Sequence, residues 1–298
     1  MRISTETGSL IQKVGERRMI EILSQAGFQA LDYTFSPFME EGDSPWNGSG
    51  YKAHTREIAE IARDHGVVFN QAHAPFLFQL AVDEVPDYTR HILPLLARCL
   101  ECASLLGIPH VVVHPLHNLR YRKFHDVVWK LNLDFYRSLA SYAQEFGVKI
   151  ALENMFQSDA LRKTIVLDLL NDPNEYVSFY DELDDKEHFI CLLDTGHSGL
   201  AGEDAADSIR ILGPRLKALH VNDNCFTDDH HLIPYQGMID WDRVLHALSD
   251  IGYRGDFTFE ALHVWEHGDE SFYPVQARYL YEVGQYMVQR FEQFKSKK

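Results

Sequence analysis

The chain has 298 residues, 45% hydrophobic and 12% aromatic, enough for the core of one large α/β domain. Its 44 acidic residues outnumber 28 basic ones, giving a net charge of −16, which argues against a surface built to displace counterions from nucleic acid. The N-terminal "MRISTETGSLIQKVGERR" lacks the apolar centre of a signal peptide, and no run reaches the roughly 18 apolar residues of a membrane span, so a cytoplasmic protein without membrane contact is expected.

Eight β-rich apolar runs succeed one another along the chain, at about 2–5, 30–34, 67–73, 110–114, 149–153, 189–194, 216–222 and 257–260. Amphipathic helical patterns fall between them, and a long one over 273–294 closes the chain. Gly27, Gly66, Gly107, Gly147 and Gly252 each stand between a helical pattern and the next strand, where a left-handed cap ends a helix. Near-continuous apolar strands fit a parallel sheet covered on both faces. Eight such alternations predict a (β/α)8 TIM barrel in a single domain spanning residues 1–298. An open doubly wound sheet is the rival, but no G-x-G-x-x-G turn follows the first strand. Cys99 and Cys102 form a C-x-x-C inside "LPLLARCLECASLLG", whose apolar spacing makes them core residues of a helix rather than a redox or zinc pair.

The strand ends carry the chemistry. His73, His114, Glu153, Asp194 and Glu260 each close a predicted strand, and His220 ends the run "LKALH" within another. In a barrel those ends converge on one mouth, where such folds build their sites. Buried carboxylates crowded together repel unless a cation neutralises them. Mixed imidazole and carboxylate donors favour Zn²⁺ or Mn²⁺ over Ca²⁺, with Mg²⁺ and Co²⁺ as alternatives. His197 follows Asp194 by three residues in "DTGHSG". In "TDDHHLIPYQGMIDW" the D-x-H pair Asp229 and His231 would share one side of an extended segment, with Asp228 and His230 turned away. Asp229 and His231 are therefore expected to hold a metal, or substrate beside it.

Several of these pieces, "HAPF", "VVVHP", "ALEN", "LLDTGH", "LHVNDN", "DHHLIPYQGMIDW" and "FTFE", resemble the xylose-isomerase-like TIM barrels over roughly residues 67 to 262. That superfamily joins sugar and sugar-phosphate isomerases and epimerases with the family 2 AP endonucleases. The ketose-epimerase branch implies one divalent ion on Glu153, Asp194, His220 and Glu260. It also implies Glu153 and Glu260 as the acid–base pair that moves a proton through an enediolate, and His197 as a polarising group on the substrate oxygen. The endonuclease branch implies three zinc ions on nine side chains: these four with His73, His114, His197, Asp229 and His231. One departure bears on the epimerase reading: Phe226 stands where ketose 3-epimerases carry an arginine.

The expectation drawn from all this is a metal-dependent isomerase or epimerase of a carbohydrate. No phosphate-binding Gly-rich loop or Lys/Arg cluster is evident, which favours an unphosphorylated sugar or polyol-derived keto compound. A trinuclear phosphodiesterase and a non-catalytic barrel with a structural metal are the alternatives. Asn222 or Asn224 could bond sugar hydroxyls, and Phe76, Phe78, Phe156, Phe226 or Trp265 could cover a sugar face. Homo-oligomerisation is left open.

Overall fold

The computed structural model describes residues 1–36, 38–39, 42–76, 83–159 and 161–296. Its strands are β1 (Ile3–Thr5), β2 (Ala30–Thr34), β3 (Val68–His73), β4 (His110–Val112), β5 (Lys149–Glu153), β6 (Phe156–Asp159), β7 (Thr164–Leu167), β8 (Phe189–Asp194), β9 (Leu216–His220) and β10 (Phe257–Phe259). A parallel ladder runs β2-β3-β4-β5-β8-β9, and β1 pairs in parallel with β10. Parallel bridges from Glu6 to Asp32 and from Val221 to Phe259 join the two pieces into a closed ring of eight strands. This is the (β/α)8 barrel that the alternation of strands and helices predicts. Residues β6 and β7 form an antiparallel hairpin outside the ring, which the sequence reading did not anticipate.

The boundaries shift by a residue or two. β4 stops at Val112, so His114 lies beyond its strand rather than closing it. β9 ends at His220, not at Asn222, and Glu260 follows β10 directly. The five cap glycines all have positive φ, from 65° to 118°, as the left-handed cap requires. Cys99 and Cys102 lie in helix Ile92–Leu106, both fully buried, and burial raises both thiols. They are core residues. No helix among the described residues is long and apolar enough to cross a membrane.

The barrel interior sets the direction of the site. Val112, Ala151, Ile190, Leu192 and Ala218 form a small apolar cluster of their own. Side chains alternate along a strand, so a residue two positions closer to the mouth points the same way. That step takes Val112 to His114, Ala151 to Glu153, Leu192 to Asp194 and Ala218 to His220. On the opposite wall the interior is polar: Ser4 Oγ donates to Asn70 Oδ1 at 2.6 Å, and Asn70 Nδ2 donates to Thr258 Oγ1 at 3.1 Å. The same step takes Ser4 to Glu6 and Thr258 to Glu260.

β3 needs a correction of phase to join this ring. Leu31 pairs with Phe69 but Asp32 pairs with Gln71, leaving Asn70 as an extra residue. Such a bulge turns two consecutive side chains inward. Gln71 then donates to Asp32 Oδ2 at 2.8 Å, and His73 two residues on reaches the mouth.

Candidate active site

Glu153 is fully buried between two imidazoles. His220 Nδ1 lies 2.6 Å from Oε1, and His114 Nε2 lies 2.8 Å from Oε2. His73 stacks on His220 with centroids 4.5 Å apart and places Nε2 3.5 Å from Glu153 Oε2. Glu260 completes the cluster: its Oε2 is 3.6 Å from His220 Nδ1 and 3.8 Å from His231 Nδ1, too far for a hydrogen bond. That oxygen is buried without a hydrogen-bond partner.

Asp194 is held by the backbone rather than by a histidine. Its Oδ1 accepts the N–H of His197 at 2.7 Å, capping helix Thr195–Leu200. Asn222 Nδ2 donates to its Oδ2 at 2.6 Å. Asn154, the last residue of "ALEN", brackets its main chain by accepting from Asp194 N at 2.7 Å and donating to Asp194 O at 3.0 Å. Asn224 donates to the carbonyl of Gly196 at 2.9 Å. Asn224 is spent on the protein at both ends, whereas Asn222 keeps Oδ1 without a partner; both are fully buried and neither lines the cavity that opens over the site.

His197, Asp229 and His231 gather beside this cluster. His197 Nδ1 donates to the carbonyl of Asn154 at 2.8 Å, and His231 Nδ1 donates to that of Glu260 at 2.8 Å. Both rings therefore turn Nε2 to Asp229 Oδ2, at 3.9 Å and 2.8 Å. Fixing one ring nitrogen on a carbonyl leaves the other as a metal or substrate ligand. The D-x-H pair converges, but not by extended backbone: His231 has φ 44°. Asp228 is exposed, as expected.

The loop owes its shape to Asp223. Its Oδ2 accepts from Tyr235 N at 2.9 Å and from Trp241 Nε1 at 2.8 Å, while Oδ1 accepts from Asn224 N and Ile239 N. Asp240 caps helix Trp241–Asp250 by accepting from Arg243 N at 3.1 Å. The D-x-H-x-x-P-x-x-G-x-I-D-W string is thus two candidate ligands followed by the segment that ties them to Asp223.

Four sets of donor atoms each lie mutually within 4.8 Å: Glu153, Asp194, His220 and Glu260; His73, His114 and Glu153; His197, Asp229 and His231; and Asp32, His73 and His220. The unpartnered oxygen of Glu260 and the mixed donor types fit a divalent cation. Asp32 is an addition that the sequence reading missed. A lone acid inside the buried strand "ALDYT" is the signal that could have found it. Glu6 was missed as well. It follows β1 directly, accepts from Thr34 Oγ1 at 2.8 Å, and keeps Oε2 buried without a partner.

Electrostatics follow the packing. Burial opposes the charge on Glu153, but His220, His114 and His73 overcome it and hold the carboxyl well below its usual range. Burial raises Glu260 well above that range, with His220 and His231 only partly compensating. Burial alone would lower His231, yet Asp229 and Glu260 carry it up to about 10. His114 is pushed down to about 4, chiefly by burial.

A cavity of about 520 Å³ opens above these residues. Glu260, His114, His197, Asp229 and His231 line its floor, and Phe76, Met155, Phe156 and Leu262 supply apolar walls. Of the expected aromatic covers, Phe76 and Phe156 are there. Trp265 is instead core, and Phe226 lies in a separate groove against Gly199. Phe78 falls outside the described residues.

Comparison with known proteins decides the family, because the model of the xylose isomerase-like TIM barrel matches residues 20–280. The chain belongs to that family. A D-psicose 3-epimerase of Enterocloster bolteae is 25% identical over 254 residues, covering 82% of this chain and 76% of that one. Among solved structures, a D-tagatose 3-epimerase-like protein superposes with a TM-score of 0.72 at 20% identity, covering 97% and 98% of the two chains. D-Psicose 3-epimerase from Clostridium cellulolyticum H10 gives the same TM-score and identity over 96% and 99%. At such identities the solved structures speak for the fold.

Proposed function

We propose that this protein is a metal-dependent isomerase or epimerase acting on an unphosphorylated ketose or related keto compound. The observation that carries the reading is the cluster of Glu153, Asp194, His220 and Glu260, of which Glu260 lines a partly apolar cavity. The similarity to D-psicose 3-epimerases supports it. A divalent ion such as Mn²⁺ or Zn²⁺ on these four residues would stabilise negative charge developing on substrate oxygens.

The chain's own residues divide the rest of the work. Glu260 lines the cavity and meets the substrate C–H first, while Glu153, held by two imidazoles, is its partner in returning the proton. His197 presents Nε2 to the carbonyl oxygen because Asn154 holds Nδ1. Arg120 is the one Lys or Arg on the cavity wall among the described residues, and Asp83 already engages it at 3.1 Å and 2.5 Å. A neutral substrate suits that wall better than a phosphorylated one.

One observation favours a second reading. The nine His, Asp and Glu candidates fall into three cation-sized groups, as a trinuclear phosphodiesterase would need. The net charge of −16 and the engaged Arg120 oppose DNA binding, so one tight ion is the proposal. Elemental analysis after extensive dialysis tests it. Wild type should retain one ion per chain and Asp194→Ala should lose it; full metal content in the variant defeats the quartet, and two or more ions in wild type revive the hydrolase.

A further inference from the structure

We propose that His117, oriented by the buried Asp168, binds a substrate hydroxyl remote from the metal quartet, so that the site selects ketoses with an extended polyhydroxyl chain. The inference rests on the sugar reading above. His117 lines the same cavity three residues beyond His114, with ring centroids 6.3 Å apart, yet it belongs to none of the cation-sized groups. Its side chain is one-third exposed, and Nδ1 lies 3.4 Å from Asp168 Oδ2.

Asp168 is fully buried immediately after β7, with Oδ1 accepting the N–H of Leu169 at 2.7 Å. A buried carboxylate is costly unless it is paired, and His117 is the imidazole it faces. The loop carrying His117 is also held in place. Gln157, on the β6–β7 hairpin, donates Nε2 to the carbonyl of His117 at 2.9 Å, and its Oε1 accepts from Tyr121 N at 3.0 Å.

Asp168 Oδ2 is buried with no hydrogen-bond partner, and His117 Nδ1 is the ring nitrogen turned towards it. With Nδ1 facing Asp168 at 3.4 Å, Nε2 is left for a ligand at the cavity wall, with no hydrogen bond among the described residues. A sugar hydroxyl donates to such a nitrogen. Phe156 and Met155 line the same cavity and offer apolar surface to the carbon chain between. His117 is thus a substrate-binding residue and Asp168 a positioning residue behind it.

The test is equilibrium binding to the metal-loaded protein, using D-fructose, D-tagatose and D-psicose against dihydroxyacetone, which keeps the ketol but lacks the remote hydroxyls. Wild type should bind at least one hexulose more tightly than dihydroxyacetone. His117→Ala should weaken that hexulose on the order of tenfold, equivalent to about 1.4 kcal/mol, and leave dihydroxyacetone within about twofold. Asp168→Asn, which keeps the packing should the first variant fold poorly, should show a smaller loss with the same ligand pattern and unchanged metal content. Equal losses for both ligands, no loss in either variant, or no wild-type preference for a hexulose overturns the proposal. Proton exchange on the sugar is a separate readout. Hexulose binding that depends on His117 without exchange would keep this inference and defeat the epimerase, whereas exchange insensitive to His117 would do the reverse.

Discussion

Asp32 Oδ2 lies 3.0 Å from Nε2 of His220, while Nδ1 of the same ring faces Glu153 and Glu260 at 2.6 Å and 3.6 Å. The aspartate therefore fixes which nitrogen is offered to a cation and raises the ring's basicity. Asp32→Asn removes that charge with little change of shape. Metal affinity should fall about 10–100-fold, measured by competition with a chelator, while the fold is retained. An unchanged affinity would show that the pair is only structural.

Gly237 tests the anchor of the D-x-H loop. A Cβ there would stand 2.3 Å from Asp223 Oδ1 and 2.5 Å from the carbonyl oxygen of Asn224. Backbone cannot yield cheaply, so Gly237→Ala should cost about 1–3 kcal/mol in denaturant unfolding. It should also disturb Asp229 and His231 more than the quartet. A variant as stable as wild type would contradict the packing described.

The barrel was legible in the sequence because its strands are largely apolar and several helices run into a glycine such as Gly107 or Gly147 before the next strand. Strand-end positions exposed Glu153, Asp194 and His220 for the same reason. Asp32 escaped because its partner Gln71 is brought inward by a bulge at Asn70, which no alternation pattern announces. The roles of Asn222 and Asp223 were hidden too, since both act through contacts to loops distant in sequence. Asp229 and His231 were found on an argument from extended backbone, whereas a left-handed turn at His231 brings them together. The hairpin of β6 and β7 pairs the mostly polar FQSD with the apolar TIVL, each only four residues long and neither alternating in the way that marks a hairpin.

His110 makes a pH prediction independent of metal. Burial pushes this imidazole down to about 4, and its Nε2 has no hydrogen-bond partner. An unfolded histidine titrates near 6.5, so the unfolded chain takes the proton first. Stability is therefore unaffected by His110 above about pH 6.5 and falls as pH drops towards 4, by up to about 1.4 kcal/mol per pH unit. Urea unfolding of wild type and His110→Gln at pH 7.5 and pH 5.0 should show wild type losing more on acidification. Parallel losses in both would remove His110 as the cause.

Transfer of a proton to and from a carbon beside a carbonyl is the central claim, and isomer formation in D₂O measures it most directly. The metal-loaded protein, incubated with a panel of ketoses, should convert at least one to its epimer or isomer, with deuterium at the exchanging carbon where the proton equilibrates with solvent. Glu260→Gln should slow that conversion by about 10²–10⁴-fold, because an amide cannot serve as the base. The contradicting result is a metal-loaded wild type that forms no isomer from any ketose and cleaves abasic-site DNA with a strong dependence on salt.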